Sequence, residues 1–219
     1  MVYLFTAWYN GIIKLIESLG RLDFALRNRQ TQTFFACAAT SYTRLRGSHE
    51  IMEIERKFLI KKLPENLQDY PLLHIEQGYL NTSPVIRVRK ENEDYYLTYK
   101  GSGMMAREEV NLSLNKEAYY HLREKVDGKI ISKKRYLIPL VHPTFATENG
   151  FLKPPADYQL TIELDVFDPP FAPLIIAEVE FGSKEAAETF IPPDWFGEDV
   201  TYRQEYHNSF MALNPDFSY

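Results

Sequence analysis

From residue 52 onward the sequence is a series of short segments that alternate apolar and polar residues, separated by turns of hairpin length. A period of two is typical of β-strands, because successive side chains of a strand point to opposite faces of its sheet. Hairpin connections favour antiparallel pairing, and eight such strands can close into a barrel. The eight predicted strands are Glu53–Ile60, His74–Leu80, Val85–Lys90, Tyr95–Lys100, Arg107–Leu114, Lys129–Leu140, Tyr158–Phe167 and Leu174–Phe181.

Three other segments have helical character. Asn115 and Ser183 are natural N-caps for the first two of them. The predicted helices are Lys116–Val126, Lys184–Phe190 and roughly Tyr202–Leu213. Val141–Asp157 contains prolines and a Glu-Asn-Gly turn, which predicts an exposed loop. The predicted fold class is α+β and β-dominated: an eight-stranded antiparallel closed β-barrel, or tunnel, with peripheral helices.

Residues 1–51 differ in composition from the rest. They hold six basic and three acidic residues, a net charge of +3, which leaves −8 for residues 52–219. Their apolar stretch, Val2–Leu19, is interrupted by polar residues and does not predict a membrane span. A signal or anchor, a short helical arm and an over-extended gene prediction are the alternatives for this extension. We expect translation to begin at Met52 and residues 1–51 to have little stable structure, ahead of a single domain at 52–219.

The overall composition narrows the expected partners. A net charge of −5 does not predict a generally basic surface for nucleic acid. The single cysteine, Cys37, lies outside residues 52–219, which fits a reducing cytoplasm where disulfides are not needed. We therefore expect a cytoplasmic protein that binds a small molecule, with no nucleic-acid or membrane partner. Its oligomeric state is left open, with a homodimer as one alternative.

Charged residues of the predicted strands are sorted by sign along single faces. Arg87 and Arg89 share one strand face, and Glu178 and Glu180 share another. Like charges two residues apart repel each other unless opposite charge lies between them. Because the opposite strand faces are apolar, we expect the charged faces to point into the barrel, where one small ligand has room. A polyanion carrying divalent cations matches that interior, since carboxylates bind Mg²⁺ or Mn²⁺ while Arg and Lys bind phosphate.

A series of motifs in order along the chain resembles the CYTH proteins, also called triphosphate tunnel metalloenzymes. It begins with Glu53-Ile-Glu-Arg-Lys57 and continues through Gln77-Gly-Tyr-Leu80 to Phe190–Gly197 and Asp199-Val-Thr201. The resemblance implies an eight-stranded antiparallel tunnel, lined with charge, that acts on triphosphate compounds with a divalent metal. The short form with these motifs is most similar to the bacterial branch that hydrolyses inorganic triphosphate.

The resemblance also implies roles for single residues. Lys133 and Tyr79 are expected to help activate water, and a lysine acts as a base only when it is neutral. The expected phosphate-binding residues are Lys57, Arg87, Arg89, Lys100, Arg107 and Arg135. The expected metal ligands are Glu53, Glu55, Glu109, Glu163, Asp165, Glu178 and Glu180. Asn111 departs from the family, which often has an acid at that position.

The implied reaction is divalent-metal-dependent hydrolysis of inorganic triphosphate to diphosphate and phosphate, with Mg²⁺ or Mn²⁺ as cofactor. Two enzymatic alternatives belong to the same family: an adenylate cyclase, and hydrolysis of nucleoside or thiamine triphosphates. The sequence shows no separate purine-binding signature that would favour the cyclase. A third alternative is a polyphosphate-binding module without turnover, although anion capture alone would be better served by fewer carboxylates.

Overall fold

The computed structural model describes residues 51–148, 150–152, 154 and 158–216, so the expected extension lies, apart from its last residue, outside the described residues. The strands are β1 Ile51–Ile60, β2 Leu72–Thr82, β3 Val85–Glu91, β4 Asp94–Lys100, β5 Ala106–Ser113, β6 Asp127–Val141, β7 Thr144–Thr147, β8 Gly150–Leu152, β9 Gln159–Phe167, β10 Ile175–Glu180, β11 Phe190–Ile191 and β12 Phe196–Asp199. The α-helices are α1 Lys116–Arg123, α2 Lys184–Thr189 and α3 Asn208–Leu213, and short 3₁₀-helices span Leu67–Asp69 and Gln204–Tyr206.

Eight of these strands close into an antiparallel barrel, which confirms the predicted fold class. Their order around the barrel is β1, β5, β4, β3, β2, β6, β9 and β10, and the barrel closes because β10 pairs with β1. At this closure Glu55 lies opposite Glu180 and Lys57 lies opposite Glu178. The closing register therefore places four of the predicted site residues side by side.

Alternation along the strands gives the barrel two chemically different faces. On β1, Ile54 and Phe58 belong to an apolar cluster that also contains residues of β9, β10 and α2, while Glu55 and Lys57 lie buried on the other face. On the charged face, side chains of strands that are not neighbours contact each other: Arg135 of β6 reaches Glu178 of β10, although β9 lies between the two strands. Side chains can meet in this way only on the concave side of a curved sheet. The charged faces therefore line the interior, as the charge pattern predicts.

The prediction of an exposed loop at Val141–Asp157 was wrong for its described residues. A three-stranded sheet forms there, in which β7 pairs with both β8 and β11. Phe145 of β7 is buried and packs against Phe190 of β11 in the apolar cluster on the outside of the barrel. Burial of these two aromatic side chains offsets the entropy lost in ordering a proline-containing segment.

The helices α1 and α2 begin where they were predicted to begin but are shorter. The side chains of Asn115 and Ser183 accept hydrogen bonds from the amides of Ala118 and Ala186, as N-caps do. The segment predicted as one helix at Tyr202–Leu213 divides into a 3₁₀-helix and α3. Among the described residues, none of the helices combines the length and hydrophobicity that crossing a membrane requires.

The segment that contains α3 covers one end of the barrel interior. Met211 of α3 packs with Ile131 and Ile176, which lie on the interior faces of β6 and β10. Gly128 has a φ of +70°, and a Cβ there would lie 2.1 Å from the carbonyl oxygen of Ala212. A glycine is therefore needed for this close approach between β6 and α3. The interior changes from charged to apolar toward α3.

Candidate active site

All eight barrel strands contribute polar side chains to the interior. Most of the predicted site residues are buried: Glu55, Lys57, Tyr79, Arg87, Arg89, Lys100, Lys133, Arg135, Asp165 and Glu178. Glu53, Arg107, Glu109 and Glu163 are half-buried, and Glu180 at the end of β10 is exposed. Coulomb interactions among the buried groups are stronger than in water, because the surrounding protein screens them less.

One ion-pair network centres on Arg135 of β6. Its guanidinium donates to the two carboxylate oxygens of Asp165 over 2.7 Å each, and to Glu178 over 2.6 Å. The Arg135 guanidinium also contacts Glu163. Lys133, which lies on β6 with Arg135, contacts Asp165 as well. A bidentate pair of this kind fixes both side chains, because the planar guanidinium matches the carboxylate geometry. The structure thus brings five predicted site residues together.

Lys57 lies between Glu178 and Glu55. Its ammonium contacts Glu178 and lies 3.1 Å from Glu55. Burial alone would lower the pKa of Lys57, but these two carboxylates hold it above its usual range. Burial would likewise raise the pKa of Glu178, yet Lys57 and neighbouring cations hold that pKa well below its ordinary value. Both partners are therefore charged at neutral pH.

A second network joins β1, β4 and β5. Lys100 lies 2.6 Å from Glu53 and 2.7 Å from Glu109. Arg107 donates to Glu53 over 3.1 Å and to Glu55 over 2.9 Å. Burial would raise the pKa of Glu109, but Lys100 holds it below its usual range. Glu55 connects this network to the one around Lys57.

Arg87 and Arg89 of β3 have fewer charged partners. Arg87 donates to Thr98 over 3.0 Å, but its buried Nε has no hydrogen-bond partner in the described part of the chain. The ion pair of Arg89 with Glu91 spans 3.9 Å. An unpaired buried guanidinium N–H is costly, and an anionic oxygen is its strongest partner. An anion bound against this wall of the barrel would therefore form the most favourable new hydrogen bonds.

The predicted catalytic pair is not joined directly. Within the described residues, no hydrogen bond or ion pair links Lys133 to Tyr79; Lys133 contacts Asp165, and the Tyr79 hydroxyl accepts a hydrogen bond from Gln77. Burial lowers the pKa of Lys133 to about 8, against the opposing effect of Asp165. Burial also raises the pKa of Tyr79. Their shared catalytic role stays a prediction.

The carboxylates have the chemistry of a divalent-metal site. Within the described ranges, no three acidic, histidine or cysteine side chains are arranged around a common metal position, because most of the predicted ligands point to a lysine or arginine. Glu55 and Glu180 are nevertheless cross-strand neighbours, as are Glu178 and Glu163. Oxygen donors grouped in this way suit Mg²⁺ or Mn²⁺ once the basic partners are displaced. The individual ligand assignments stay predictions.

Sequence reasoning gave no role to three buried polar side chains. Gln77 and Thr98 have no exposed surface, and Thr201 is 1% exposed. Thr98 donates to Asn111 over 2.6 Å, and the Thr201 hydroxyl accepts from the backbone amide of Lys57 over 3.0 Å. The signal for the first two was their spacing, because each lies two residues from a predicted site residue of its own strand. Thr201 has no such spacing, and its signal in the sequence was its place in the Asp199-Val-Thr201 motif.

Comparison with known proteins identifies similar sequences and a similar solved structure. The family model described as "CYTH domain" matches residues 52–199. An inorganic triphosphatase of Nitrosomonas europaea is 38% identical over 166 residues, covering 74% of this chain and 97% of that protein. An inorganic triphosphatase of Acetivibrio thermocellus is 31% identical over 170 residues, covering 74% of this chain and 94% of that protein. A crystal structure of an inorganic triphosphatase has a TM-score of 0.50 and 32% identity, covering 76% of this chain and 97% of that chain.

Proposed function

This chain belongs to the CYTH domain family, and we propose that it hydrolyses inorganic triphosphate to diphosphate and phosphate inside its barrel. The observation that carries the proposal is the interior of the closed barrel, where carboxylates of β1, β5, β9 and β10 lie beside basic side chains of β1, β3, β4, β5 and β6. Two relatives are inorganic triphosphatases, and their alignments with this chain cover 97% and 94% of their own lengths. A triphosphate with bound divalent cations complements this wall, because its cations attract the carboxylates and its phosphoryl oxygens attract the basic side chains.

The basic residues of β3 are the proposed first contacts of the phosphoryl groups. Arg87 and Arg89 are buried, and the Nε of Arg87 has no hydrogen-bond partner in the described part of the chain. Lys57, Lys100, Arg107 and Arg135 are proposed to turn from their carboxylate partners to phosphoryl oxygens when substrate binds. Charge-assisted hydrogen bonds from these groups would hold the phosphate chain in line with the attacking water.

The family implies a divalent metal, and we propose Mg²⁺ or Mn²⁺, held by carboxylates of β1, β5, β9 and β10. The proposed ligands are Glu53, Glu55, Glu109, Glu163, Asp165, Glu178 and Glu180. A divalent cation held by these residues would supply positive charge that stabilises the charge of the transition state. Lys133, in its neutral form, is proposed to accept the proton of the attacking water. Because residues 52–219 contain no cysteine, we propose that the reaction takes place in the cytoplasm.

Phosphate release by the full chain tests the proposal. Inorganic triphosphate, ATP and thiamine triphosphate are each supplied with Mg²⁺, Mn²⁺ or EDTA, and cyclic AMP is measured alongside phosphate. We expect rapid, EDTA-sensitive release from inorganic triphosphate and slow release from ATP. Preferred turnover of ATP or thiamine triphosphate, or formation of cyclic AMP, would assign one of the other family activities. Triphosphate that raises the melting temperature without being hydrolysed would identify a binding module.

A matched pair of substitutions links that activity to the barrel interior. Glu55→Gln removes one buried carboxylate charge, whereas Glu108→Gln makes the same change on the outer face of β5. We expect the first variant to lose metal-dependent turnover while remaining folded, and the second to keep it. Near wild-type activity in Glu55→Gln would remove Glu55 from the metal site.

A further inference from the structure

Gln77 connects a phosphate-binding arginine to the predicted catalytic tyrosine. Its side chain has no exposed surface and lies on the interior face of β2, directly opposite Arg89 of β3. The amide oxygen accepts a hydrogen bond from Arg89 Nε over 3.0 Å. The amide nitrogen donates to the Tyr79 hydroxyl over 3.2 Å. Both ends of the amide are therefore used inside the barrel.

The chemistry of these partners allows only one orientation of the amide. A guanidinium group has donors and no acceptor, so the amide oxygen of Gln77 must face Arg89. The amide NH₂ then faces Tyr79, and it can only donate. The Tyr79 hydroxyl must accept this hydrogen bond, which leaves its own proton pointing away from Gln77.

No acceptor for that proton is found among the described residues, since Gln77 donates to the hydroxyl oxygen and the neighbouring Arg87, Arg89 and Arg107 have no acceptor. Burial raises the pKa of Tyr79, so the hydroxyl keeps its proton at neutral and moderately alkaline pH. Tyr79 lies directly opposite Arg87 in the register of β2 and β3. The unpaired Nε–H of Arg87 and the free O–H of Tyr79 thus belong to neighbouring side chains on one interior face.

We propose that Gln77 is a positioning residue that fixes the Tyr79 hydroxyl as a hydrogen-bond donor to a phosphoryl oxygen held by Arg87. This inference rests on the proposed function and assigns Tyr79 a donor role in it. A donor held in place before the reaction stabilises charge that develops on the phosphoryl oxygens, because it needs no reorganisation. Gln77 acts through Tyr79 and through Arg89, and has no contact of its own with substrate.

The test is a double-mutant cycle on kcat with inorganic triphosphate. Gln77→Glu keeps an acceptor for Arg89 but has no N–H, so the Tyr79 hydroxyl would donate to the new carboxylate and be lost to substrate. We expect Tyr79→Phe and Gln77→Glu each to lower kcat about 100-fold. The double variant should be no slower than Tyr79→Phe alone, because both changes remove the same donor. The control is Gln159→Glu, the same change at an exposed position of β9, which should leave kcat unchanged.

The negative charge added by Gln77→Glu repels phosphate, so KM should rise whether residue 79 is tyrosine or phenylalanine. The coupling between Gln77 and Tyr79 is therefore measured on kcat. An equal loss of kcat from Gln77→Glu in the Tyr79 and Tyr79→Phe backgrounds would overturn the proposal. If Gln77→Glu does not fold, Gln77→Met takes its place, since it removes the orienting contacts without adding charge. It should lower kcat in the Tyr79 background and leave kcat unchanged beside Tyr79→Phe, where the lost contact with Arg89 would change KM alone.

Calorimetric binding of inorganic triphosphate separates this inference from the proposed function. If the wild-type chain binds triphosphate without hydrolysing it, the proposed function fails, and the same cycle is read on Kd with Gln77→Met and Tyr79→Phe. Non-additive losses of affinity would support the positioning role, and additive losses would overturn it. A wild-type chain that does not bind triphosphate would overturn both.

Discussion

Thr201 joins the C-terminal segment to the strand that carries the first predicted motif, and its hydroxyl gives a measurable prediction. The side chain is 1% exposed. Its hydroxyl accepts a hydrogen bond from the backbone amide of Lys57 over 3.0 Å and donates one to Asp199, while the amide of Val200 donates to the carbonyl of Lys57. Residues 199–201 therefore hold both backbone polar groups of Lys57, whose side chain binds the interior carboxylates.

Thr201→Val keeps the shape of this side chain but removes the hydroxyl. The amide of Lys57 would then be buried without a partner, which costs about 2 kcal/mol of unfolding free energy. Thr201→Ser keeps the hydroxyl and loses one methyl group, which costs about 1 kcal/mol. Urea unfolding measures both, and a lower midpoint at unchanged slope reports the loss of stability. If Thr201→Val is no less stable than Thr201→Ser, the hydroxyl does not support Lys57 and the reasoning fails.

Three further predictions concern single side chains of the barrel and its end. Arg87→Ala should raise KM about 10- to 100-fold, because its guanidinium has free donors for phosphate; an unchanged KM would remove it from the substrate site. Lys133→Ala should lower kcat about 100-fold or more with a smaller rise in KM, whereas the exposed neighbour substitution Lys134→Ala should do neither. Burial lowers the pKa of His207, so its neutral form favours folding. The free energy of unfolding should therefore fall as pH drops below about 6.5, and His207→Gln should flatten that dependence in acid-titrated urea melts.

The barrel and its lining could be predicted because both depend on the two-residue period of a strand. Once Ile54 and Phe58 are assigned to the apolar face of β1, Glu55 and Lys57 must lie on the other face. The order of the hairpins then determines most neighbouring strands. The partners of each charge could not be predicted in the same way. Arg135 meets Glu178 across β9, and such a contact depends on the curvature and stagger of the closed barrel.

Elements outside the barrel were harder to predict because their signals are local and weak. Phe145 lies between proline-containing turns, and nothing near it in sequence shows that Phe190 will pair with it. Gly78 illustrates the same limit, since a Cβ there would lie 2.7 Å from Val126, a close approach that only the fold reveals. The role of Gln77 likewise depends on hydrogen bonds to Arg89 and Tyr79, and only the latter is near in sequence.

The charge balance of the interior bears on how a triphosphate could bind. The predicted site contains seven acidic residues and seven basic ones, counting Lys133, so it is formally neutral. A bare polyanion would gain little net Coulomb energy there, because most of the basic groups it approaches, Arg87 excepted, already have a carboxylate beside them. A triphosphate that enters with divalent cations gives each side a new partner: carboxylates turn to the cations, and Lys57, Lys100 and Arg135 turn to phosphoryl oxygens. Triphosphate affinity should therefore fall steeply when EDTA removes the divalent cations, and calorimetry showing the same Kd with and without them would contradict this exchange of partners.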